Sequence, residues 1–253
     1  MFWRRPRSIF TTTVATWPFK VGLRNAGATD AFSVSLLSMI TSAAAHFVLG
    51  KRSVRRNRFA KWESMTMKTT RNEAMLAVKT LLGYLEDDVD REGLLDTPKR
   101  VIDSWSEIFA GYDMNPSEIL SSTFNGEGYD GIVLLKDIEF HSTCEHHLQP
   151  FNGKAHVAYI PVERIVGISK LSRIVDLHAR RLQNQERITK GIADDLETHL
   201  KPLGCAVIME ASHGCMRCRG VKQQNAIMST SAMKGVFFDN AEARQELFQL
   251  IKN

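Results

Sequence analysis

The sequence predicts an α+β domain built on an antiparallel sheet, preceded by helices and by a basic N-terminal extension. Three observations predict it. From residue 132 onward, strand-like and helix-like stretches follow in the order ββααββα, with short links that favour pairing between sequential strands. Residues 72–109 carry apolar side chains at helical spacing instead. Charge is unevenly divided: residues 1–62 hold 11 Lys/Arg and a single acid, Asp30, a net of +10, so a whole-chain value of +5 leaves the remainder at −5.

The extension is assigned to residues 1–66 and the main domain to 67–253. Arg4, Arg5 and Arg7 open a Ser/Thr-rich, acid-poor stretch, and a second basic cluster runs from Lys51 to Arg58. This is the composition of an organelle transit peptide. A dispensable extension, with initiation at Met65 or Met67, is a second reading. A membrane anchor over 31–50 is a third, weakened by Ser33, Ser35, Ser38, Thr41, Ser42 and His46. The protein is placed in the cytoplasm, with an organelle matrix as the alternative. The acidic main domain gives no support to a nucleic-acid partner.

Within the domain, Ala74, Met75, Val78, Leu81, Leu82 and Leu85 mark a helix over 72–86. Thr97-Pro98 reads as the next helix start, with Thr97 as N-cap and Pro98 at the first helical position, and that helix stops near Gly111. Residues 132–140 and 154–160 read as paired strands, the second closed by Pro161. Helices follow at about 168–179 and 183–200. Residues 205–212, 215–221 and 226–237 read as extended, and 240–251 as a final amphipathic helix.

Four cysteines, Cys144, Cys205, Cys215 and Cys218, are too few for a disulfide framework in 253 residues. The run His141-Ser142-Thr143-Cys144-Glu145-His146-His147 contains a Cys-x-x-His pair, a spacing that lets a thiolate and an imidazole meet one zinc ion at a turn. A third ligand is needed, and His213-Gly214-Cys215-Met216-Arg217-Cys218-Arg219 is the natural donor. If that run is extended, His213, Cys215, Arg217 and Arg219 share one face and Cys218 points away. Cations beside a zinc ion suit an anionic substrate such as a polyphosphate. Lys170 and Arg173 fall on one side of the helix that Ser169 can cap, a plausible phosphate cradle or a plain solvated face. Glu186, in Gln183-Asn184-Gln185-Glu186-Arg187, could accept both donors on the guanine edge, or be an exposed helix residue.

In this order, S-T-C-E-H-H, G-K-A-x-V-A-Y-I-P, G-I-S-K-L-x-R, Q-x-Q-E-R and H-x-C-x-x-x-R-G resemble the GTP cyclohydrolase I family, from about residue 70 to 253. The resemblance implies the tunnelling fold, in which antiparallel sheets of several subunits join into a barrel. It implies toroidal homodecamers with sites at subunit interfaces. It further implies zinc on Cys144, His147 and Cys215, catalytic roles for His146 and His213, and a guanine anchor at Glu186 with Gln185 beside it. Arg100, Lys170, Arg173 and Arg219 match the triphosphate contacts, and Ser169 the same motif. A phosphate-binding lysine of some members is Asp103 here, which points to Arg217 as a substitute. The implied reaction is hydrolysis of GTP to 7,8-dihydroneopterin triphosphate and formate, the opening step of folate and pterin synthesis. A structural zinc module completed by Cys218, or another tunnelling-fold pterin enzyme, is the alternative.

Overall fold

The structure, a computed structural model, describes residues 69–253, so the expectations for the extension lie outside the described residues. Helix α1 (Arg71–Leu85) starts in a capping box, the Thr70 side chain accepting from the Glu73 amide while Glu73 takes the Thr70 N–H at 2.7 Å. It buries none of its residues, and Leu76, Leu81, Tyr84 and Leu85 stay exposed. After a short α2 (Glu92–Leu95), α3 spans Thr97–Ile108. The cap position is Asp96, so Thr97 is already helical, with its hydroxyl turned back to the Gly93 carbonyl. Proline fits there because first-turn amides have no helical acceptor to lose. A 3-10 turn, Ala110–Asp113, follows. Gly111 is required in it: an added Cβ would lie 2.4 Å from the Leu177 carbonyl oxygen.

Several small elements escaped the sequence reading. Helix α4 (Pro116–Leu120) is capped by Asn115, and β1 (Thr123–Asn125) pairs antiparallel with β4 (Arg164–Val166). The main sheet contains β2 (Val133–Cys144), β3 (Pro150–Ile160), β5 (Leu182–Gln183), β6 (Gly204–His213) and β7 (Met228–Gly235), in the order β5-β2-β3-β6-β7. Strands β2 and β3 run about four residues further than expected, with a bulge between Leu135 and Ile138 where Asp137 takes a positive φ of 58°. Four of the strands are antiparallel as expected. The two-residue β5 is an addition, pairing parallel to the end of β2 at Thr143 and Cys144.

Helices α5 (Ile168–Ala179) and α6 (Gln185–Leu200) lie on one face of this sheet. Leu171, Ile174 and Leu177 of α5, with Ile188, Ile192 and Leu196 of α6, pack in one core with Phe140, Phe151, Val157, Val207 and Met209. Each such fully buried side chain contributes about 1.5–3 kcal/mol. A smaller core, with Ala158, Ala206, Phe237 and Leu247, includes residues of the short α8 (Val236–Asp239) and of α9 (Ala241–Lys252).

The expected extension through 213–219 is not found. The strand stops at His213, and Gly214–Arg217 forms a helical turn, α7, in which the Cys218 amide donates to the Gly214 carbonyl at 3.0 Å. The cause is the length of the neighbours. His213 pairs with Phe151, next to the first residue of β3, and β7 reaches only as far as Ala211. Past His213 no strand remains on either side, so the backbone satisfies its polar groups locally.

Candidate active site

Three chain segments meet at the end of the sheet. The first is the turn after β2. Cys144, last residue of the strand, is buried, and its backbone takes the Leu148 amide at 2.8 Å, folding Glu145–His147 over the strand end. The second is α7, which carries Cys215. One ligand atom from each of Cys144, His147 and Cys215 lies within 4.8 Å of the others. His146 sits at the rim with its side chain 63% exposed and its Nδ1 3.8 Å from the Cys144 sulfur. Burial, and then the neighbouring Cys144, push the Cys215 thiol upward. Two adjacent thiols resist ionising together, and a cation between them reverses that preference. Two thiols and an imidazole are also donors that suit zinc. The residues therefore fit a metal ion.

Cys218 stands apart. It is exposed, and its thiol donates to the Gly214 carbonyl at 2.9 Å. Cys218 is not among the three clustered side chains, and its position is set by a helical turn and not by strand alternation. Cys205 is a buried thiol pushed up to about 12, chiefly by its burial, on β6 and outside the cluster.

The third segment is the start of α6. Its cap, Asn184, accepts from the Arg187 amide at 2.8 Å. Arg187 grips both carboxylate oxygens of Glu145, at 2.6 and 3.0 Å, and holds that carboxyl below its usual range. The Glu145 amide donates to the Gln183 carbonyl at 3.0 Å. The turn bearing His147, which follows Cys144, is thus fastened to the helix bearing Glu186. Asn184 was legible as a helix cap by residue type; the pairing of Arg187 with Glu145 carries no sequence signal.

His213 is half-buried and stacked on Phe151, with ring centres 4.5 Å apart and planes 7° from parallel. Burial lowers its pKa, and the charge of Glu186 acts in the opposite sense. Its Nε2 lies 2.9 Å from Oε1 of Gln185. Gln185, expected among the substrate contacts, is fully buried with its amide engaged inside the protein. Glu186, one residue on, is exposed.

The basic residues are less gathered. Arg219 is near enough to Cys215 to favour its thiolate. Ser169 lies two residues inside α5, whose cap position is Gly167 with no side-chain cap bond, so the expected serine cap is absent. Ser169 and Arg173 are exposed and Lys170 half-buried. Arg100, on α3, pairs with Asp96 at 3.3 Å. No hydrogen bond or ion pair among the described residues ties Arg100, Ser169, Lys170 or Arg173 to the Cys144–His147–Cys215 cluster. Asp103 pairs with Arg71 and, at 3.0 Å, with Lys99. Arg217 donates to the Ser212 hydroxyl at 3.2 Å.

A mixed helix-and-sheet domain with a Cys–His–Cys cluster next to a half-buried histidine fits the class of hydrolases that carry a metal site. The chain belongs to the GTP cyclohydrolase I family, whose model matches residues 74–252. It is 49% identical over 186 residues to the GTP cyclohydrolase 1 of Brucella anthropi, covering 73% of this chain and 87% of that one. It is 50% identical over 181 residues to that of Brucella canis, covering 71% and 85%. The protein is accordingly an enzyme with GTP cyclohydrolase I activity, and GTP is its substrate. Among the described residues no helix is long and apolar enough to cross a membrane.

Proposed function

We propose that the reaction is zinc-dependent hydrolysis of GTP to 7,8-dihydroneopterin triphosphate and formate, feeding pterin and folate synthesis. The observation that carries it is the convergence of Cys144, His147 and Cys215 beside His213. These three residues would hold the zinc ion, which would supply Lewis acidity and a lowered pKa for water. Glu186 accepts the donors of the guanine edge. Lys170, Arg173, Arg219 and Arg100 hold the triphosphate, with Ser169 in the same motif. His146 or His213 protonates the ring nitrogen that departs, a task suited to an imidazole near neutral pH.

The scattered, exposed phosphate residues favour a site completed by a second copy of the chain. The homodecamer implied by the family supplies such copies, its sheets joining into the barrel of the tunnelling fold. Residues 67–253 are the enzyme unit, and residues 1–66 an extension that turnover does not need. The protein is assigned to the cytoplasm, and the alternative, an organelle matrix, rests on that extension acting as a transit peptide. The test is incubation of the purified, zinc-loaded protein with GTP and with ATP, followed for formate and for a fluorescent oxidised pterin. GTP alone should yield both. Equal turnover of ATP would remove the guanine-reading role of Glu186, and pterin formation by a thoroughly metal-stripped protein would remove zinc.

A further inference from the structure

Gln185 is among the most buried polar side chains of the described chain, at 0% exposure, and it lies directly behind His213. Its orientation is decided by its surroundings. The amide nitrogen faces the carbonyls of Met209 at 3.1 Å and Met228 at 3.0 Å, which can only accept. It also meets the Thr230 hydroxyl at 3.1 Å, which in turn shares a 2.6 Å bond with Thr189. With its NH2 committed to two carbonyls, the amide turns Oε1 toward the histidine. That oxygen can only accept, so the 2.9 Å contact requires a proton on Nε2 of His213.

We propose that Gln185 is a positioning residue: it holds His213 in the Nε2–H tautomer, flat against Phe151, and so reserves Nδ1 for moving the proton. This rests on the reading of His213 as the acid–base group of the site. Nδ1 takes a proton from the attacking water and delivers it to the ring nitrogen as the carbon–nitrogen bond breaks. The bonding pair stays on nitrogen, and Nδ1 regains its lone pair. Nε2 keeps its proton throughout. Gln185, fully buried and with its NH2 committed, then has no free donor with which to read guanine, and acts on rate and not on recognition.

Two measurements test this. In the wild-type holoenzyme, 15N spectra of the histidine rings, assigned by comparison with His213→Ala, should show His213 in the Nε2–H form alone. A predominant Nδ1–H form overturns the proposal whether or not any variant folds. The second is steady-state GTP turnover by zinc-loaded Gln185→Leu, with Thr230→Val as the control that disturbs the same buried network without touching His213. Gln185→Leu should lose roughly ten- to a hundredfold in kcat, part of what a positioned acid–base group supplies, with KM within about threefold. Thr230→Val should keep kcat within about threefold. A rise in KM with kcat unchanged would make Gln185 a substrate contact and sink the proposal, as would equal kcat losses in both variants. Wild-type activity in His213→Ala would instead remove the underlying reading of His213, an outcome separate from the tautomer result.

Discussion

Replacing Cys215 and Cys218 one at a time separates an open metal site from a closed one. Cys215 shares a 4.8 Å cluster with Cys144 and His147, whereas the Cys218 thiol is directed at the Gly214 carbonyl, 2.9 Å away. A four-ligand zinc site binds its ion by about 10–16 kcal/mol, so one ligand is worth roughly 3–4 kcal/mol, or a factor of about 10²–10³ in affinity. Serine keeps the size of cysteine but does not ionise near neutral pH, so Cys215→Ser should lose that factor. Cys218→Ser can repeat the bond to Gly214 through its hydroxyl and should hold metal and stability nearly unchanged. The assay is competition for zinc against a chelator of known affinity, with metal per chain by elemental analysis and circular dichroism as the folding control. Cys215→Ser should release its ion at chelator levels that leave Cys218→Ser loaded. Equal loss from both variants would mean a four-ligand, closed site, and would refute the argument that a position stays open for chemistry. Full retention by Cys215→Ser would mean that the cluster is not the metal site.

Gly153→Ala should destabilise the fold by about 3 kcal/mol or more in urea titration, because the added Cβ would collide with the Glu210 carbonyl of the neighbouring strand β6; a loss below about 1 kcal/mol would show that the strands yield. Lys234 is raised from about 10.5 to about 12, first by its bond to Asp194 and then by that to Glu197. Its contribution is therefore complete below pH 10.5 and lost as pH climbs toward 12, so wild type and Lys234→Met should converge in stability across that window and differ below it. A gap that stays constant through that range would contradict the ion-pair assignment. Glu186→Gln should raise KM for GTP at least tenfold while leaving the melting temperature almost unmoved, since the side chain is exposed; unaltered kinetics would take Glu186 out of the guanine site. A chain beginning at Met67 should turn over GTP as the full chain does, and loss of activity in a folded truncated protein would assign residues 1–66 a part in the site.

The parts of this site legible in the sequence are those whose geometry is local. Cys144 and His147 meet because they stand three positions apart in one turn, and a strand-like run before them announces the turn. The pairing with Cys215 is a long-range fact, and the motif order of the family supplied it where spacing could not. What strand alternation got wrong is instructive. It kept Cys218 out of the cluster for a reason that does not apply, because 214–217 is helical and residues three apart on a helical turn would ordinarily be neighbours. The turn is set by where β3 and β7 end, and nothing in residues 213–219 encodes the length of strands elsewhere. Gln185 shows the same limit in a side chain. Beside Glu186 in sequence it resembled a second guanine contact. One residue along a helix turns a side chain by about 100°, however, and here that rotation carries Gln185 into the core under the carbonyls of Met209 and Met228 while Glu186 remains outside. The residues proposed to hold the triphosphate differ again. Arg100, Ser169, Lys170 and Arg173 are legible as a set only through the family, and a single chain leaves them dispersed and largely in solvent. Arg100 lies on α3, paired with Asp96, while Lys170 and Arg173 lie on α5, so no single run of sequence joins the set and only the order of the family's motifs does.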